Sequence, residues 1–166
     1  MRTWIIAVVL CIFFFILPLQ CFVIGDDKGL GIQGAVYRWQ MTLYGDSLIP
    51  MTKELTYIQV GIYSGKTALS VILWSLGTVT LALTTIISLL YWNRLPRYYI
   101  RSVILGLVGA GIIYLASLCV QYGPLFSGPA GISLPIGVVI MFLSAIFLFF
   151  YQEWFFYPDE PIRADV

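Results

Sequence analysis

The chain has 166 residues, 60% apolar and 10% charged, with nine Lys+Arg against eight Asp+Glu and no His. Soluble domains carry about 25% charged and 45–50% apolar residues, so the composition excludes an ordinary globule, a disordered chain and a disulfide scaffold. A formal net charge of +1 gives nucleic acid no electrostatic footing. The absence of His removes the commonest metal ligand and neutral-pH proton shuttle.

What remains is a small multi-pass membrane protein whose first partner is the lipid bilayer. A spanning helix needs about 20 apolar residues to cross roughly 30 Å of hydrocarbon. Residues 4–24 qualify, interrupted by Pro18 and Gln20, as do 68–92, 102–122 and 132–152. The first stretch follows Arg2 but exceeds a signal-peptide core and lacks a small-x-small cleavage site, so it reads as an uncleaved helix. The expected fold is an all-α integral membrane four-helix bundle with a small extracytoplasmic β-sheet subdomain in its first outer loop.

Arginines set the expected orientation. Arg94, Arg97 and Arg101 crowd the connection between the second and third spans, whereas residues 123–131 carry no charge. Short cytoplasmic loops collect Lys and Arg. The chain is therefore expected in the cell membrane with both termini cytoplasmic, including a tail over 153–166. Trp4, Tyr91, Trp92, Tyr98, Tyr99 and the aromatics of 151–157 fall where headgroups should lie.

Residues 25–67 form the one sizeable segment outside the spans. In it, Tyr37, Trp39, Met41 and Leu43 alternate with Arg38, Gln40 and Thr42, the period of a half-buried strand. The pattern predicts a strand over 36–44, a turn at Gly45-Asp46-Ser47, and β segments over 48–52 and 55–63. Pro50 confines the first of these to a sheet edge. The glycine-rich stretch 25–34 reads as a flexible lead-in. The apolar face is expected on the helix ends, leaving Arg38, Gln40 and Thr42 outward as candidate partner contacts. Lys28, Arg38, Lys53 and Lys66 balance Asp26, Asp27, Asp46 and Glu54, so no charged partner is favoured.

Small residues mark close helix contacts in lipid. Ser70, Gly77 and Thr84 recur every seven positions, and Ser102, Gly106, Gly109, Ala110 and Ser117 share one arc of a helix. Both stripes are candidate packing surfaces, within the chain or between chains. Leu107 is expected to face lipid.

Four helices, inside termini, a β-bearing first outer loop and a short second one resemble the layout of claudin-type tetraspan proteins. The claudin signature of a Trp, a Gly-Leu-Trp and two outer-loop cysteines is absent: residues 25–67 contain no Cys. Cys11, Cys21 and Cys119 lie in apolar stretches and read as free, buried thiols. Gly61-Ile62-Tyr63-Ser64-Gly65-Lys66-Thr67 places three residues between its glycines, whereas a phosphate-binding loop needs four, so nucleotide is not expected.

No charged residue lies within the spans, and no catalytic, metal or cofactor constellation can be named. The leading expectation is a non-catalytic membrane protein acting through protein contacts, as an accessory subunit or cell-envelope component. The alternative is a small oligomeric channel or carrier lined by Ser70, Thr78, Thr84, Thr85 and Ser88. A third reading is a membrane enzyme or lipid-binding subunit. A membrane-protein partner or self-association is implied by the first two.

Overall fold

The computed structural model describes residues 3–25, 29–91 and 97–150. Helix α1 (Thr3–Phe15) stops where the amides of Ile16 and Leu17 both donate to the Ile12 carbonyl. Pro18 follows, has no N–H, and cannot continue a helix. The chain then extends into β1 (Gln20–Ile24), β2 (Gly29–Gln33), β3 (Tyr37–Thr42) and β4 (Gly45–Pro50). Helices α2 (Met51–Gln59), α3 (Gly65–Tyr91) and α4 (Arg97–Tyr122) come next. Strands β5 (Ser127–Gly128) and β6 (Gly131–Leu134) precede α5 (Ile136–Phe150).

The strands form one antiparallel sheet in the order β4-β3-β2-β1-β6-β5. Its two halves come from distant parts of the chain, joined where β1 pairs with β6. The hairpin from β5 to β6 turns at Gly131, whose φ of +123° suits glycine. A side chain there would also strike the Val23 carbonyl across the ladder.

This architecture corrects the expected all-α four-helix bundle. Among the described residues, five helices accompany a six-stranded sheet, and two of those helices are long and apolar enough to cross a membrane: Gly65–Tyr91 and Tyr99–Tyr122. The apolar run over 4–24 divides into α1 and β1 at Pro18, and the run over 132–152 divides into β6 and α5 at Pro135. Apolar content satisfies a buried helix and a strand equally, so only backbone chemistry separates them. The lead-in over 25–34 contains strand β2, and the β segments expected over 48–52 and 55–63 give way to β4 and α2. In α2, Met51, Leu55 and Ile58 fall on one helical face against the core.

Helix α3 runs along α4 over most of its length, α5 rests on α4, and α1 on α3. Their shared core contains Leu10, Trp74, Leu81, Leu107 and Met141, each at most 1% exposed. Leu107 is thus a core residue, contrary to the expected lipid exposure. Asp26, Asp27, most of the arginine-rich connection and the tail over 153–166 lie outside the described residues.

Candidate functional site

The alternation read over residues 37–42 is present, but the faces are reversed. Arg38, Gln40 and Thr42 point toward the helices, on the same side as Gln20, Phe22, Gln33 and Ser133. Arg38 is buried, with 8% exposure. Burying a cation is costly unless it is paired and hydrogen-bonded, and the surrounding elements supply both. Its Nη1 lies 3.0 Å from Glu54 Oε1 of α2. Its Nε and Nη2 donate to Gln33 Oε1 at 3.3 and 3.0 Å. The guanidinium sits 5.6 Å from the Trp74 ring and 5.8 Å from that of Phe22, within cation–π range.

Register explains the rest of the array. Gln33 lies opposite both Arg38 and Gln20 across the ladders. Gln20 Nε2 donates to Gln33 Oε1 at 2.6 Å, and Ser133 of β6 donates to Gln20 Oε1. A buried polar row thereby runs from β6 through β1, β2 and β3 to α2. Glu54, fully buried, has the 3.0 Å ion pair with Arg38 as its compensation. Burial pushes the neighbouring Tyr63 phenol above its ordinary pKa; the Glu54 charge adds to this and Arg38 opposes it.

The turn between β2 and β3 is anchored into the helices. The Trp74 indole donates to the Gly34 carbonyl at 3.0 Å, and Thr78 Oγ1 donates to the Ala35 carbonyl at 2.6 Å. The Tyr114 hydroxyl donates to Thr78 Oγ1 at 3.1 Å. These bonds satisfy carbonyls that would otherwise be buried without partners.

The opposite sheet face is apolar and open. One cross-strand row runs Ile132, Val23, Leu30, Met41 and ends at Asp46. The next runs Leu134, Cys21, Ile32, Trp39 and Leu48. Leu48, Leu134, Leu30 and Ile132 are 65%, 60%, 54% and 54% exposed. At the β3–β4 hairpin tip, Leu43 and Tyr44 are 83% and 100% exposed. Thr42 closes that turn, accepting from the Tyr44 amide and donating to the Gly45 carbonyl. Gln40 is half-buried opposite Gly31 and Ser47.

The two small-residue stripes meet each other within the chain. Ser70 and Ser117 hydroxyls are 3.0 Å apart, and Ser117 also donates to the Ser70 carbonyl. A side chain at Gly77 would strike the Tyr114 ring, and one at Gly106 would strike Thr84. Ala110 is fully buried, Gly109 lies near Thr80, and Ser102 is exposed. The hydroxyls of Thr84 and Thr85 bond carbonyls four residues back on α3, a habit of hydroxyls in spanning helices. Cys11 and Cys21 are free and half-buried, whereas Cys119 is free and exposed.

Sequence reading missed Gln20, Gln33 and Glu54. The available signals were Gln20 two residues after Pro18, and Glu54 on the helical face of Met51, Leu55 and Ile58. Among the described residues, no three of His, Cys, Asp and Glu converge to hold a metal. Compared with protein-family profiles, curated proteins and solved structures, the chain matches none.

Proposed function

We propose that the chain is a non-catalytic, multi-pass membrane protein that binds a neighbouring membrane protein through the apolar outer face of its sheet, as an accessory subunit or cell-envelope component. The exposed face carries this reading. Its two rows are contiguous, uncharged except for Asp46 at one end, and backed by the buried Arg38–Glu54 pair. Large exposed apolar patches on a folded surface mark interaction sites. Partner recognition thus belongs to the face opposite Arg38.

Helices α3 and α4 make complete crossings. Helices α1 and α5, with 13 and 15 residues, span only about 20 Å at 1.5 Å per residue. The apolar outer faces of β1 and β6 supply the remaining depth in the outer leaflet. Strand β1 is paired on both sides, so its backbone is satisfied at a depth where water is scarce. Arginines near the start of α4 put the sheet outside and both termini in the cytoplasm. Ser70 and Thr78 of α3 are engaged by Ser117, Gln121 and Tyr114 of α4, which favours this reading over a hydroxyl-lined channel.

The test places a photo-crosslinking amino acid at Leu30 or Leu48 in cells, with Val60, 63% exposed beyond the sheet, as control. Defined protein adducts from positions 30 and 48, lost on Leu30→Glu or Leu48→Glu in each other's background, are the expected result. Equal adducts from position 60, or adducts indifferent to both substitutions, would refute the reading.

A further inference from the structure

We infer that the junction of sheet and helices binds one ordered water molecule, held by the side-chain amides of Gln20 and Gln33 and the hydroxyl of Ser117. A small cavity lies where β1 and β2 meet α4 and α5, with Gln20, Gln33, Tyr114 and Ser117 as its polar lining and Val138 among its apolar walls. Every residue lining it is at most 4% exposed. About 10 Å³ is open to the centre of a water-sized sphere. Water oxygens keep about 2.8 Å apart, the full width of a compact space of that size, so one molecule fills it.

The chemistry of the lining points to the same occupant. Gln33 Oε1 already accepts from Gln20 Nε2 and from two nitrogens of Arg38, while the Gln33 amide nitrogen carries two N–H donors of its own. Gln20 Nε2 has a second N–H beyond the one given to Gln33. Ser117 gives its proton to the Ser70 carbonyl, and Ser70 donates to Gln121 Oε1, which keeps the Ser117 oxygen as an acceptor. The Tyr114 hydroxyl donates to Thr78 and can accept in turn. Donors from the sheet and acceptors from α4 therefore line one small space, and a water accepts from the first and donates to the second. Buried waters typically make about three such bonds. An apolar occupant would leave buried amide donors unmet, which is costly, and the Arg38 charge beside Gln33 disfavours a cation. With the water in place, the row from Ser133 to Glu54 and the cluster of Ser70, Ser117 and Gln121 become one network tying the sheet to the α3–α4 seam. The inference concerns the inner face of the sheet and is independent of the partner proposed for the outer one.

The experiment takes the full chain in detergent, with nitrogen-15 in its glutamine side chains, and measures nuclear Overhauser effects between water and the amide protons. Gln33 should give a cross-peak with the sign of a water that tumbles with the protein, and Gln59, exposed at the end of α2, should not. Val138→Leu and Ser117→Thr each add one carbon to a different wall, and the second keeps the hydroxyl. Each should abolish the Gln33 cross-peak, whereas Leu105→Ala, at an exposed position of α4, leaves it unchanged. A crystal structure fine enough to show waters supplies a second measurement that needs no variant. It should show a density peak within about 3.2 Å of both Gln33 Nε2 and Ser117 Oγ. Absence of that peak, absence of the Gln33 cross-peak, or a cross-peak that survives both substitutions would overturn the inference.

Discussion

Arg38 and Glu54 are each other's electrostatic compensation. Removing one partner of a buried pair strands the other charge, at a cost of about 3–5 kcal/mol, whereas replacing both with apolar groups is often neutral. Arg38→Met and Glu54→Met should each destabilise by about that amount, and the double variant should recover most of the loss. Chemical denaturation in mild detergent, followed by Trp fluorescence, measures all three; losses that simply add would show that the pair does not couple α2 to the sheet. Arg38→Glu would set a second carboxylate beside Glu54, so its first effect is on folding and not on recognition. The residue that looks most like a surface contact in the sequence is a structural one, because strand alternation identifies two faces without saying which one a helix covers.

At the scale of elements, the seam between α3 and α4 is the main helix contact. Gly106 has no space for a side chain because Thr84 occupies it, and Leu107 beside it is 1% exposed. Gly106→Leu must therefore force the two backbones apart. Leu107→Ala opens a core cavity, at about 2–5 kcal/mol, while Leu105→Ala, at a position 72% exposed, should stay within ~0.5 kcal/mol. A paired variant separates contact from general damage: Gly106→Ala destabilises, and Thr84→Gly in that background restores stability. Thermal melts in detergent report the order, and absence of rescue would mean that Thr84 is not the obstacle. The periodic small residues made this seam legible in advance. The amphipathic helix α2 was not, because Leu55, Tyr57, Ile58 and Tyr63 suit strands as well as helices, and the deciding contacts are with distant core residues.

For the whole molecule, the proposed orientation rests on asymmetry of charge. The sheet should be reachable from outside the cell and the start of α4 should not. Single cysteines at Tyr44, fully exposed at the hairpin tip, and at Arg101, exposed at the other end of the helices, test this in a background lacking Cys11, Cys21 and Cys119. An impermeant maleimide on intact cells should modify position 44 and spare position 101. The opposite pattern would invert the molecule and put the apolar sheet face in the cytoplasm.

Composition and periodicity by themselves determined the apolar class of the chain, the two long helices, the alternating strand around Trp39 and the contact surfaces of α3 and α4. These are local properties, set by how much water a segment tolerates and how often its side chains return to one face. Pro18 and Pro135 mark where the two outer apolar runs break, but tertiary structure decided that one part of each becomes a strand. It also paired β1 with β6 across more than 100 residues of sequence, and turned Arg38 inward. Each of those outcomes depends on a partner far along the chain: Gln33 and Glu54 for the guanidinium, Ser133 for Gln20, the Trp74 indole for the Gly34 carbonyl. A buried polar group takes the position where its hydrogen bonds are met, and that position is known only once the distant segments have come together.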